Sequence, residues 1–460
     1  MLDPQVVILA WIPVVVLFFS VWPAPRALIV GYVVGMLALP AAAIPLEGFW
    51  DIDGLRATNI GVFLGMLFFR MRDLRAYRFH PADLWLTLFC VLPLWTSMSN
   101  GLGAYDGLSE VGRHALDYLV PFVLGRVALG SEKVLDDAGR FVVGAAGIYA
   151  VLAVWEWRMS PQIHNTLYGF FQNINFVLHH RWGFFRPIVC FPKALSLGIF
   201  FAWTSVLAVA LYKARRLSRV VMVPPQVLVG LPIAGLFVCL SFGPWASFLL
   251  GSAMVMAGRT RGRRWIVALP ILAAVIWMGG RITGLLTDRQ IGTITNAVAF
   301  FNQDRGQSFE YRVNAETLVI DHAKERLWLG WGAWDRGRVT DENDADVALD
   351  GLWVILLGTN GVLGLGAFFL WWCWPIVDWV RVSRHATFEP ATIGFVIGAS
   401  IFVIFFLFNA FLNPVLILVM GGITGVLREA KLAPAPRIVP ACAGVHMTRA
   451  FVSDGYGSGR

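Results

Sequence analysis

Arg181 and Arg186 stand five residues apart in an aromatic segment, Arg181-Trp-Gly-Phe-Phe-Arg186, and Lys193 follows just before an apolar run that contains Gly198. Three cations at the mouth of an apolar segment can clamp a diphosphate, because guanidinium is planar, permanently charged and binds phosphate oxygens in pairs. The same residues could instead snorkel to lipid phosphates. A second set lies far downstream. Arg312 falls in an amphipathic segment, Phe309–Leu327, where it could be a further anion contact or pair with Glu316 one turn on. Asp350 opens the next apolar run, where its carboxylate suits a general base for a hydroxyl nucleophile or a helix N-cap. Glu156 and Asp117, near other apolar run ends, are weaker candidates for the same cavity.

These residues are embedded in a chain of 460 residues that is 57% hydrophobic and only 14% charged. Soluble domains carry roughly 25% charged residues, so the composition excludes a soluble globular protein and gives an all-α polytopic membrane protein. Runs of about 20 apolar residues mark about thirteen spans, from Val6–Trp22 to Pro414–Leu427, which gives 12–13 transmembrane helices. The net charge of +8 is dispersed in short clusters between apolar runs, so it follows the positive-inside pattern and does not form a nucleic-acid patch. Alternation of the spans puts 23 of the 37 lysines and arginines on one face; twelve of the other fourteen fall in two loops, Arg158–Lys193 and Arg281–Arg338. External loops have no topogenic need for such charge.

Residues 1–431 are expected to form one membrane domain and 432–460, rich in Ala, Pro, Gly and Ser, a disordered cytoplasmic tail. The longest loop, residues 280–350, should lie outside and contain an amphipathic helix. In that helix Phe309, Val313, Leu318 and Ile320 supply the apolar face, with Glu310, Glu316, Asp321 and Lys324 outward. Its acidic run, Asp341–Asp346, reads as a solvated loop because it lacks the Gly and terminal Glu of a calcium loop. The five scattered cysteines indicate neither disulfides nor a zinc site, and no metal is expected.

Four features together resemble the O-antigen ligase and O-antigen/exopolysaccharide polymerase superfamily. They are Tyr118-Leu-Val-Pro-Phe-Val-Leu-Gly-Arg126 with the span ending at Glu156; Arg181…Arg186…Pro192…Gly198; Arg312 followed by Trp328-Leu-Gly-Trp-Gly332; and Asp350-x-x-Trp353 with Gly361, Gly364 and Asn409…Asn413-Pro. They run in family order over nearly the whole chain. Asp350 stands where ligases often have His, and Trp328 where Pro is common.

The resemblance implies a glycosyltransferase of the cytoplasmic (inner) membrane acting on a polyprenyl-diphosphate-linked glycan at the outer face, inverting and without metal or other cofactor. Arg181, Arg186 and Arg312 would neutralise the diphosphate leaving group, Lys193 and Trp353 would contact the substrate, and Asp350 would orient or deprotonate the acceptor hydroxyl. Implied partners are the donor, a glycan or lipid acceptor, membrane lipids and polysaccharide assembly or export proteins, with no nucleic acid. Asp350 and the Arg186 loop favour a polymerase over a ligase. A secondary transporter of an anionic lipid or glycan, or a scaffold without activity, remains an alternative; the near-absence of charge inside the spans disfavours transport.

Overall fold

The computed structural model describes residues 1–75, 77–172, 179–217, 223–257, 261–301, 303–333, 336–337, 339–340, 347 and 350–432. Eighteen α-helices follow one another among the described residues. They are α1 (Pro4–Val21), α2 (Ala24–Ala38), α3 (Gly54–Phe69), α4 (Met71–Leu74), α5 (Pro81–Ser99), α6 (Ala104–His114), α7 (Val120–Ala128), α8 (Glu132–Met159) and α9 (Ile163–Tyr168). The series continues with α10 (Ala194–Lys213), α11 (Pro225–Val238), α12 (Phe242–Ala257), α13 (Leu269–Thr283), α14 (Asp288–Phe301), α15 (Gln303–Lys324), α16 (Leu352–Val382), α17 (Pro390–Phe408) and α18 (Pro414–Leu432). A π-helical turn, Ala115–Leu119, joins α6 to α7, and a 3-10 run, Arg261–Ala268, leads into α13. Two two-residue hairpins, β1–β2 (Ala43–Ile44 with Ile52–Asp53) and β3–β4 (His180–Arg181 with Phe184–Phe185), are antiparallel.

Local chemistry explains where helices start. Proline occupies the first turn of α1, α2, α5, α7, α11, α13, α16's neighbour α17 and others, where its missing N–H costs nothing. Asp3 caps α1 by accepting from the Gln5 and Val6 amides, and His80 with Asp83 forms a capping box on α5.

Among the described residues, seven helices are long and apolar enough to cross a membrane, and four shorter helices, α2, α3, α11 and α12, are also apolar. A helix occupies each of the thirteen apolar stretches, although α2 stops at Ala38, short of the expected Ile44, because β1 takes over the chain. The protein is therefore all-α, with the apolar helices of a multi-pass membrane protein. α10 is apolar and buried on nearly all sides, with α8, α11, α12 and α17 around it. α1 lies at the periphery with Val6, Leu9, Leu17 and Val21 exposed, as a lipid-facing helix requires. α7 and α18 approach backbone to backbone: a Cβ on Gly125 or Gly421 would sit on a carbonyl of the other helix.

Polar contacts sort the helix ends into two groups. At one end Arg126 pairs with Asp83 and donates to Thr424, Lys431 and His80 meet Asp378, Arg216 pairs with Glu389, and Arg264 donates to the Ser383 carbonyl. These join the basic stretches that the charge pattern places together. At the other end Arg56 pairs with Asp117, Arg336 with Asp106 and Arg312 with Asp350.

The long loop is anchored by breaking a helix. Inside α16, Gly361 has φ 64° and ψ −170°, a conformation open only to glycine, and interrupts the helical ladder. Residues 327–332 run along the break as a strap. The Trp331 and Gly332 amides donate to the carbonyls of Gly358 and Thr359 at 2.9 Å each. In return Val362 and Leu363 donate to Leu327 and Trp328 at 2.8 and 3.2 Å. The strap thus satisfies the backbone groups that the break releases. Thr96 and Asn100 of the α5 end donate to the Leu329 and Gly330 carbonyls at 2.7 and 3.0 Å, tying the strap to a second helix.

Candidate functional site

Each arginine of the first set is placed by a tight turn. In the β3–β4 hairpin Trp182 and Gly183 both have positive φ, 52° and 80°, as a two-residue primed turn demands. The turn folds Arg181 back beside Phe184, and the Arg186 amide continues the pairing onto the His179 carbonyl at 2.7 Å. Both guanidiniums then reach the turn between α11 and α12. Arg181 Nη1 donates to the Leu240 carbonyl at 2.9 Å, and Arg186 Nη2 donates to Ser241 Oγ at 2.8 Å. Glu156 braces the same segment from behind. Fully buried, its carboxylate accepts from the Ile163, Ile188 and Val189 amides at 3.0, 2.8 and 2.8 Å. It therefore holds the Arg186 loop and does not line the cavity.

Arg312 arrives on α15, which begins at Gln303, six residues before the expected Phe309, and is preceded by α14, which the periodicity did not announce. Arg312 Nε donates to Asp350 Oδ2 at 3.0 Å, so the pairing with Glu316 is not the one formed. α15 is also turned relative to its expected faces. Val313, Ala315, Val319, Ile320 and Ala323 are buried, whereas Leu318 is exposed. Glu316, expected outward, is only 4% exposed and faces inward. Its Oε2 lies 3.6 Å from Arg281 Nε on α13, and Trp353 Nε1 donates to Oε1 at 3.3 Å. Arg281 also donates to the Val313 carbonyl and Thr317 Oγ1. Burial outweighs the opposing pull of Arg281 and the Trp353 hydrogen bond and pushes the Glu316 carboxyl up to about 7.

These elements meet around one cavity of about 480 Å³. Arg181, Arg186 and Arg312 all line it, with Ser241 and Asn409, and its described lining contains no carboxylate. Apart from Ser247 its other walls are apolar, among them Leu250 of α12, Phe309 of α15, and Ile401, Phe405 and Phe408 of α17. Trp277, Phe309 and Phe408 form a mutually packed aromatic corner beside it. The result is amphipathic, with cations at one end and a hydrocarbon-like surface below. Asp350 adjoins it through Arg312.

Two expected members stand elsewhere. Lys193 is exposed at the N-cap of α10 and is not among the cavity's lining residues. Trp353 is completely buried, committed to Glu316, and supports the site from within the protein. Asp117 lies in the π-helical turn, paired with Arg56 at 3.3 Å and Arg113 at 3.7 Å. The acidic run 341–346 and the tail 433–460 lie outside the described residues.

Ser241, the Leu240 carbonyl and the Arg281–Glu316 pair escaped sequence reasoning. The first two contribute one hydroxyl and one main-chain acceptor, which leave no side-chain pattern. The pair has a readable signal, an arginine at the end of an apolar run, but no spacing rule links residues 281 and 316. No protein-family model and no curated protein matches the chain.

Proposed function

We propose that this protein is a membrane glycosyltransferase that polymerises or transfers polyprenyl-diphosphate-linked oligosaccharides in cell-surface polysaccharide synthesis. In this reading the thirteen helical stretches span the cytoplasmic membrane, with α14, α15 and the strap on its outer face. The observation that carries it is the convergence of Arg181, Arg186 and Arg312 on one cavity whose remaining walls are mostly apolar. A polyprenyl-diphosphate-linked glycan has that shape, a dianionic diphosphate diester joined to a hydrocarbon chain. Cations preorganised at low dielectric stabilise charge that develops on a leaving group.

The transfer is metal-independent and inverting. The acceptor hydroxyl oxygen forms a bond to the anomeric carbon from the face opposite the diphosphate, and the carbon–oxygen bond to the diphosphate breaks. The electron pair leaves with the polyprenyl diphosphate, held by the three arginines, and the hydroxyl proton passes to Asp350. Asp350 is half-exposed and paired with Arg312, so one group joins the base to the leaving-group clamp.

The test is the lipid-linked glycan profile of cells lacking the protein, complemented with wild type, Arg186→Ala, Arg312→Ala or Asp350→Asn. Accumulation of single repeat units on the carrier, with loss of long polymer, in the knockout and all three variants is the expected result. Long polymer that persists on the carrier would make the protein a ligase. An unchanged profile would sink the glycosyltransferase reading and leave transport of an anionic lipid or glycan as the next one to assay.

A further inference from the structure

A second cavity, of about 170 Å³, lies at the same end of the molecule between α5, α6, α16 and the strap. That volume equals roughly six waters of liquid, the scale of one sugar ring. Its chemistry differs from that of the first cavity. Asp106, Glu110, Arg113 and Arg336 line it together with Thr96 and Asn360, so two carboxylates balance two guanidiniums. Arg336 pairs with Asp106 at 2.7 Å, and Arg113 with Glu110. Glu110 and Asn360 are 7% and 6% exposed. Paired charges of both signs and an amide offer donors and acceptors without net charge, and the Thr96 hydroxyl, which donates to Leu329, adds an acceptor. Such a lining repels a diphosphate no more than it attracts one, and it matches a ligand whose hydroxyls both donate and accept.

The two cavities share a wall. Leu352 lines the second cavity, and its amide donates to the carbonyl of Asn409, which lines the first. Asp350, two residues before Leu352, is bonded to Arg312 of the first cavity. Gly332 at the end of the strap, with Ala333 and Arg336 just beyond it, lines the second cavity, so the path of this segment along broken α16 helps to form it.

We propose that this second cavity is the acceptor subsite, which takes one neutral, hydroxyl-rich sugar residue and presents its hydroxyl toward Asp350. The proposal rests on the glycosyl-transfer reading but has its own test. Full-length protein in nanodiscs is dialysed to equilibrium against a labelled oligosaccharide made by partial hydrolysis of the cell's own surface polysaccharide. Binding of farnesyl diphosphate is measured in parallel as a probe of the first cavity. Asp106→Asn and Glu110→Gln are expected to weaken saccharide binding by about tenfold or more, as loss of hydrogen bonds to charged groups does, and to leave farnesyl diphosphate binding within twofold. The double exchange Asp106→Arg with Arg336→Asp keeps the ion pair but inverts its polarity, and saccharide binding should stay weak.

Recovery of wild-type saccharide binding in the double exchange would make the pair merely structural and overturn the proposal. So would wild-type protein that binds no saccharide, or variants that bind it undiminished. Loss of farnesyl diphosphate binding in the wild type would instead strike the reading of the first cavity. Farnesyl diphosphate binding also reports folding, so a variant that loses both ligands is replaced by Arg336→Lys, which keeps the charge beside Asp106 but not the planar guanidinium; weakened saccharide binding alone is expected and unchanged binding counts against the site.

Discussion

Replacing Gly361 by alanine probes the joint on which the long loop depends. The residue has φ 64° and ψ −170°, a region that costs an L-residue about 1–3 kcal/mol. An added Cβ would lie 2.4 Å from both the carbonyl carbon and the oxygen of Trp328. That is roughly 1 Å inside van der Waals contact, and both atoms are backbone, so the strap itself must move. Displacing it breaks the bonds from Val362 and Leu363, worth about 1 kcal/mol each. The total is about 3–5 kcal/mol, enough to undock the strap locally. The assay is trypsin cleavage at Arg326 in detergent micelles together with thermal unfolding. Gly361→Ala should be cut several-fold faster and melt several degrees lower. The control is Gly366→Ala in the same helix, where an added Cβ meets nothing within 4 Å and stability should hold or rise slightly. Equal cleavage rates and melting temperatures for Gly361→Ala and wild type would refute the strap's role.

Two further outcomes follow from buried carboxylates. Glu156→Ala should lower stability by roughly 3 kcal/mol or more, since it orphans three amides, two of them fully buried, at about 1–3 kcal/mol each; Glu156→Gln, with one acceptor oxygen left, should lose about half as much. Thermal unfolding checks this, and farnesyl diphosphate affinity should fall in parallel because the Arg186 loop loosens. Glu316 holds its proton up to about 7 in the folded protein against 4.5 for the unfolded chain. Between those values the folded state binds more protons, so stability should fall as pH rises through that window and level off above it. Glu316→Gln should flatten the slope, and identical pH profiles of melting temperature for the two proteins would contradict the assignment.

Much of the architecture was readable because lipid imposes one strong rule on a chain: apolar runs of spanning length must be helical. That rule located all thirteen helical stretches, and ion pairs join several of the basic stretches that the distribution of arginines groups together. It also singled out Arg181, Arg186, Arg312 and Asp350, since charge at an apolar run's mouth needs a reason. What sequence periodicity could not determine was rotation. α15 is too polar for a decisive apolar face, and packing against α13 and α16 turned Glu316 inward and Leu318 out. Lys193, outside the cavity's lining, and Trp353, buried against Glu316, show the same limit: position along a chain does not say which way a side chain leaves a helix end.

Residue types and their spacing thus determined that this chain is an all-α membrane protein with a basic cluster at one end. Contacts between residues distant in sequence decided the rest. The meeting of Arg181 and Arg186 with Arg312, the break of α16 onto the strap, and the neutral cavity beside the cationic one each join segments more than twenty residues apart. No local propensity encodes such meetings; they follow from which arrangement satisfies every buried polar group at once.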